Sequence, residues 1–171
     1  NFLDAAGGEA IGSGLGDGYS IPTGSADQTK PLPWVNIRRL NVTFTEDVDA
    51  ATVVANTNVI LHGVNSEPSI GLITVNGNRM TIDLSVNLPT DALRLEIQDT
   101  VLSVAGEPLD GDFVNETDTL NSGGPAVTGD PVNDFSFHFR VLHGDADQSG
   151  LVDTGDSSQM FFRFFSSPGT G

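Results

Sequence analysis

The chain has 171 residues, of which 23 are acidic and 7 basic, for a formal net charge of −16. Such a surface repels nucleic-acid phosphates and anionic membrane headgroups, so neither is an expected partner, whereas cations are. There is no cysteine, which excludes a disulfide framework and thiol chemistry, and no apolar run of about 18 residues, so membrane insertion is not expected. A chain of this length can bury roughly 70% of the surface its unfolded form exposes, enough for one cored domain plus an appendage. It begins Asn1-Phe2-Leu3-Asp4, with neither Met nor a charged-then-apolar leader, and is expected to be a processed product or a piece of something longer.

Residues 1–30 are rich in Gly, Ser, Asp and Ala and read as a loop-rich linker, pinned in places by Phe2, Leu3, Tyr19 and Ile21. Pro31-Leu32-Pro33-Trp34 stops any helix and opens a folded unit expected over 31–142. From there the hydrophobic period is two. Leu40, Val42 and Phe44 alternate with Asn41, Thr43 and Thr45 as a half-buried strand. One helical turn is expected near Asp49–Val54, then a strand over Asn58–His62. Strands at Ser69–Val75 and Arg79–Ser85 flank Asn76-Gly77-Asn78, a hairpin signal because Asn and Gly tolerate positive φ. In the second of these strands Met80, Ile82 and Leu84 share a face.

Leu93, Leu95 and Ile97 repeat the alternation, as do Phe135, Phe137, Phe139 and Val141. Between them, Leu109–Pro131 is a long acidic, Gly/Pro-rich excursion. Its Asp110, Asp112, Glu116, Asp118 and Asp130 form either a second cation site or a solvated loop. About six or seven short strands with turn signals between them argue for a mostly β chain built as an antiparallel β-sandwich. No βαβ alternation is present, which argues against a parallel α/β sheet.

The C-terminal part, 143–171, begins with Gly144-Asp145-Ala146-Asp147-Gln148-Ser149-Gly150-Leu151-Val152-Asp153-Thr154-Gly155-Asp156. Oxygen-bearing side chains fall at loop positions 1, 3, 5, 9 and 12: Asp145, Asp147, Ser149, Asp153 and Asp156. Gly150 stands at position 6, where the chain must turn sharply, and Leu151 at position 7 would offer its carbonyl, its side chain free to pack inward. This is the spacing of an EF-hand-like calcium loop, with Asp replacing the usual Glu at the last position. Four carboxylates in so short a loop would repel one another without a cation between them. A short helix is expected next, N-capped by Asp153 or Thr154, with Met160, Phe161, Phe164 and Phe165 on one face.

Gly144–Phe165 resembles one repeat of a type I dockerin, in which a Gly-Asp-led calcium loop precedes a helix. The resemblance implies calcium ligation by Asp145, Asp147, Ser149, the Leu151 carbonyl, Asp153 and Asp156. It also implies contact with a cohesin-like protein through Thr154, Gly155, Phe161 and Phe162. Dockerins carry two such repeats and this chain has one. Either the second has been removed, or the single loop–helix packs on the sandwich with a local role.

A second resemblance rests on Phe44-Thr45-Glu46-Asp47-Val48-Asp49, on Val104-Ala105-Gly106-Glu107-Pro108-Leu109-Asp110-Gly111, and on the closing Phe-rich strand. These look like bacterial Ig-like domains of large secreted or surface proteins. Together the resemblances imply a non-catalytic extracellular calcium-binding module for attachment or spacing. An accessory, carbohydrate-binding domain of a large secreted enzyme is the alternative.

The three histidines, His62, His138 and His143, show no zinc spacing, and His138 is expected on the outer face of its strand. No Gly-x-Ser-x-Gly elbow supports a serine hydrolase. Trp34 and Tyr19 are too few for an aromatic sugar platform and are expected to pack at the core or its edge.

Overall fold

A computed structural model describes residues 18–22, 26–109 and 134–165. The Gly/Ser-rich residues 1–17 and the acidic excursion, with its candidate second cation site, lie outside the described residues. The chain is mostly β. A 3₁₀ turn at Ala26–Thr29 precedes the strands β1 (Arg39–Thr43), β2 (Val59–Gly63), β3 (Ile70–Asn76), β4 (Arg79–Leu84), β5 (Asp91–Ile97) and β6 (Phe135–Val141). A further 3₁₀ turn, Ala50–Thr52, lies between β1 and β2, and the helix α1 (Thr154–Phe165) follows β6.

The strands pair antiparallel in two three-stranded sheets, ordered β1-β4-β3 and β2-β5-β6. Alternation dictates what each contributes, because successive side chains of a strand point to opposite faces. In β4 the buried positions are Met80, Ile82 and Leu84, and in β5 they are Asp91, Leu93, Leu95 and Ile97. With Val59 and Leu61 of β2 and Phe139 and Val141 of β6, these apolar residues form one cluster shared by both sheets. Each fully buried Leu, Ile or Val contributes roughly 1.5–3 kcal/mol relative to exposure. Tyr19, Ile21 and Trp34 pack against this cluster, with the Tyr19 and Trp34 rings 5.0 Å apart.

The β3–β4 hairpin turns at Gly77, whose φ of 60° suits the first central position of a two-residue turn. Phe44 falls just past β1, where its N–H donates to the carbonyl of Asn78. The two sheets are also stitched by side chains. Asn56, left-handed at φ 58°, accepts from the Ile70 N–H at 2.9 Å and donates to its carbonyl at 2.8 Å. Its amide thereby stands in for a peptide group between the start of β2 and β3.

On the outer face of β2-β5-β6, His62 pairs across from Arg94, and Arg94 from His138. Glu96 lies 3.1 Å from the Arg94 guanidinium and 3.4 Å from His62 Nε2. His138 is half-buried there, so its strand face is as expected but its surroundings are not bulk solvent.

The one inward charge of β5 is Asp91, 6% exposed. It accepts from Ser66 Oγ at 2.6 Å, from the Asn65 N–H and side-chain amide at 3.0 Å, and from the Ala92 N–H at 2.9 Å. Burial pushes the carboxyl up, but these donors together outweigh it and hold it below the ordinary range. The approach is so close that a Cβ at Gly63 would collide with Ser66 Oγ and Asp91 Oδ2. A depressed carboxyl contributes stability above its unfolded pKa, about 3.9, and loses it as pH falls through the lower folded value. Asp91→Ala is therefore expected to cost about 2–3 kcal/mol in urea unfolding at pH 7, with the deficit shrinking below about pH 3.9. A deficit independent of pH would reduce Asp91 to a packing residue.

Candidate metal centre

The loop after β6 owes its shape to three left-handed residues: Gly144 (φ 92°), Gln148 (φ 57°) and Gly150 (φ 88°). Between them the chain wraps its N–H groups around carboxylates. Asp145 has no solvent exposure. Its Oδ1 accepts from the Ser149 N–H at 3.0 Å and its Oδ2 from the Gly150 N–H at 2.8 Å. The Ser149 N–H is shared with Asp147 Oδ1, also at 3.0 Å.

Asp156, 2% exposed, closes the loop from the other end. Its Oδ1 accepts from the N–H groups of Ala146 (2.6 Å) and Asp147 (3.3 Å), and its Oδ2 from that of Asp153 (2.7 Å). Asp153 in turn accepts from the Gly155 N–H at 2.7 Å. Asp153 is thus the N-cap of α1, and Asp156 reaches back to the N-cap N–H, a capping box with Asp in the usual Glu position.

The outcome is a convergence of charge. One carboxylate oxygen each from Asp145, Asp147 and Asp156 lies within 4.8 Å of the others, a group able to hold a metal ion. Asp145 and Asp156 form its buried base, while Asp147, Ser149 and Asp153 are exposed at its rim. Ser149 and Asp153 lie outside the three-carboxylate group but adjoin it. The Ser149 hydroxyl is 3.4 Å from the Leu151 carbonyl, and a Cβ on Gly155 would stand 3.0 Å from Asp153 Oδ1 and 3.1 Å from Asp147 Oδ2.

The Leu151 side chain corrects one expectation, because it is 65% exposed rather than packed inward. Its carbonyl turns towards the Ser149 hydroxyl, and its neighbour Val152 is also exposed, at 58%. Thr154 is exposed at the first position of α1. Phe161 and Phe162 belong to α1, but their side chains, like those of Met160, Phe164 and Phe165, lie outside the described residues.

Two carboxyls of the same group are pushed in opposite directions. Burial drives the Asp145 carboxyl up against the pull of the Gly150 and Ser149 N–H groups, and Asp147 and the Asp156 charge raise it further. The Asp153 N–H holds the Asp156 carboxyl below the ordinary range against its burial, helped by the Asp147 and Ala146 N–H groups. Ionised Asp156 therefore supports the fold until pH falls through its lowered value. Ionised Asp145 opposes the ion-free fold as pH rises through its raised one. A divalent cation among them would reverse that penalty.

The loop is also bolted to the β-structure at two places. The Leu142 N–H donates to the Leu32 carbonyl (3.1 Å) and the Gly144 N–H to that of Pro33 (3.1 Å). The Gln148 side chain donates to the Pro31 carbonyl at 3.0 Å. On the other side, the His143 N–H donates to Thr90 Oγ1 at 3.2 Å and its Nε2 lies 3.1 Å from the Leu88 carbonyl. Ligand spacing names neither Gln148 nor His143, since both act on residues distant in sequence.

Gly155 supplies a sharp test. Inside a helix, Gly→Ala normally stabilises by about 0.5–1 kcal/mol, yet here the new methyl would press on two rim carboxylates. Gly155→Ala is expected to leave the ion-free melt unchanged or slightly raised while weakening cation affinity roughly fivefold, about 1 kcal/mol. Undiminished affinity by calorimetry would place the ion away from Asp147 and Asp153.

Compared with known proteins, the chain matches no family model, no curated protein and no solved structure.

Proposed function

We propose that this chain is a non-catalytic extracellular calcium-binding module. An Ig-like β-sandwich would carry a C-terminal EF-hand-like loop and short helix, serving attachment or spacing within a large secreted or surface protein. The observation that carries the reading is the convergence of Asp145, Asp147 and Asp156, two of them buried, on a common point. The donors are all oxygen, which suits a hard cation, and a loop of mixed carboxylate, hydroxyl and carbonyl oxygens favours calcium over magnesium. Asp145, Asp147 and Asp156 would hold the ion with Ser149, the Leu151 carbonyl and Asp153 around them. Since both Asp156 oxygens already take N–H groups, that residue acts as much as a clamp as a ligand. The sandwich reading is supported by two antiparallel sheets sharing one core.

What the ion supplies is charge neutralisation. It removes repulsion among four loop carboxylates and fixes the start of α1, whose Thr154, Gly155, Phe161 and Phe162 would face a cohesin-like partner or a second repeat. Extracellular calcium modules work at roughly 10⁻⁴–10⁻³ M.

Thermal melts in millimolar calcium against excess chelator test this directly. Each tenfold rise of free calcium above the dissociation constant is expected to add about 1.4 kcal/mol of apparent stability. Asp145→Asn, which keeps the side-chain shape, should weaken binding at least tenfold. Asp145→Ala combined with Asp156→Ala should abolish the calcium response. Unchanged binding in that double variant, or no response of the parent chain at millimolar calcium, overturns the assignment.

A further inference from the structure

The segment ahead of β1 is held in an unusual way. Gln28 is wholly buried, and its side chain donates to the His138 carbonyl of β6 at 3.0 Å. Leu32 makes a parallel bridge with Val141: its N–H donates to the Arg140 carbonyl at 2.9 Å and its carbonyl accepts from the Leu142 N–H at 3.1 Å. The next two attachments are to the candidate calcium loop, from Gly144 N–H to the Pro33 carbonyl and from the Gln148 side chain to the Pro31 carbonyl. Pro31 and Pro33 have no N–H, so this strap cannot build a regular ladder on β6. Its hold is divided between the strand and the loop.

The loop's share depends on two left-handed residues, Gly144 and Gln148. Glutamine disfavours that conformation. It is kept there by Asp145, whose carbonyl accepts from the Gln148 N–H at 3.4 Å while its carboxylate gathers the next two N–H groups. The residue that orients Gln148 is therefore the same buried carboxylate that must otherwise face Asp147 and Asp156 without a counter-charge.

We infer that calcium at the loop locks the strap of residues 26–34 onto the edge of β6, with Gln148 as the positioning residue that transmits binding. This rests on the calcium reading above. Ion binding fixes Asp145, Asp145 fixes the turn at Gln148, and Gln148 with Gly144 fixes Pro31 and Pro33. The segment leading into the domain and the segment leaving it are clasped at one corner, and the clasp is calcium-dependent.

Hydrogen exchange on the whole chain, in millimolar calcium chloride against excess chelator, tests this together with calorimetry. The amides of Leu32, Leu142 and Gly144 are expected to slow at least tenfold with calcium, more than those of Met80 and Ile82 in β4. Gln148→Gly keeps the left-handed turn comfortable and cuts only the tie. It should bind calcium within about threefold of the parent and lose most of the extra protection at Leu32. Calcium binding without slower exchange at Leu32, or full protection retained in Gln148→Gly, overturns the clasp and leaves the calcium site standing. Absence of binding by calorimetry removes the calcium reading and the clasp with it.

Discussion

Asp145 brings a carboxylate to a position with no solvent exposure, and much of the C-terminal part answers that constraint. Removing a charge from water is costly unless donors or an opposite charge replace the lost hydration. Part of the answer is geometric: Gly150, at φ 88°, turns its N–H onto Asp145 Oδ2, and the Ser149 N–H meets Oδ1. Those two bonds do not suffice, because Asp147 and Asp156 bring further negative charge within 4.8 Å. The net push on the Asp145 carboxyl is upward, first from burial. A cation would balance a group arranged this way, and this is why the convergence weighs more than the acidic composition of the chain.

Asp156 answers the same constraint from the helix side. One carboxylate gathers the N–H groups of Ala146, Asp147 and Asp153, so the loop's beginning and the start of α1 are held by a single side chain. The N-terminal end of a helix carries partial positive charge, which favours Asp153 and Asp156 where they stand. The first turn of α1 and the carboxylate group are consequently one structural unit. Whatever orders the loop also sets the direction in which α1 leaves it.

How much of this could be read in advance follows from which contacts are local. The alternations Met80-Ile82-Leu84 and Leu93-Leu95-Ile97 announce their buried faces, since strand period alone decides them. The Asn76-Gly77-Asn78 turn also needs only neighbours, and so does the Asp spacing that brings Asp145, Asp147 and Asp156 together. Strand partners are another matter: nothing in β2 says that it joins β5, or in β1 that it joins β4. The inward Asp91 is invisible until Asn65 and Ser66 curl over it. The outward Leu151 side chain differs from expectation because loop position bears on the carbonyl, which meets the Ser149 hydroxyl, and not on where the side chain goes. Gln148 gave no signal at all, being neither Gly nor Asn at a left-handed position, and its contact lies more than a hundred residues away, at Pro31.

The location of the loop follows from the needs of the sheet. An edge strand presents unpaired N–H and C=O groups that invite pairing with another chain. In the sheet β2-β5-β6, β6 stands at an edge among the named strands. Leu32 takes up the Arg140 carbonyl and the Leu142 N–H on that edge. Pro31 and Pro33 prevent the strap from offering a continuous ladder of its own, so the cover does not become a new edge. What the prolines deny to the strand, the loop restores by donating Gly144 N–H and the Gln148 amide to the strap's carbonyls. His143 meanwhile fastens the same loop to Leu88 and Thr90, just before β5. The carboxylate group thus sits where β6, the strap and the β4–β5 connection meet. An ion there would act on all three at once through bonds that already exist, with no new contact required.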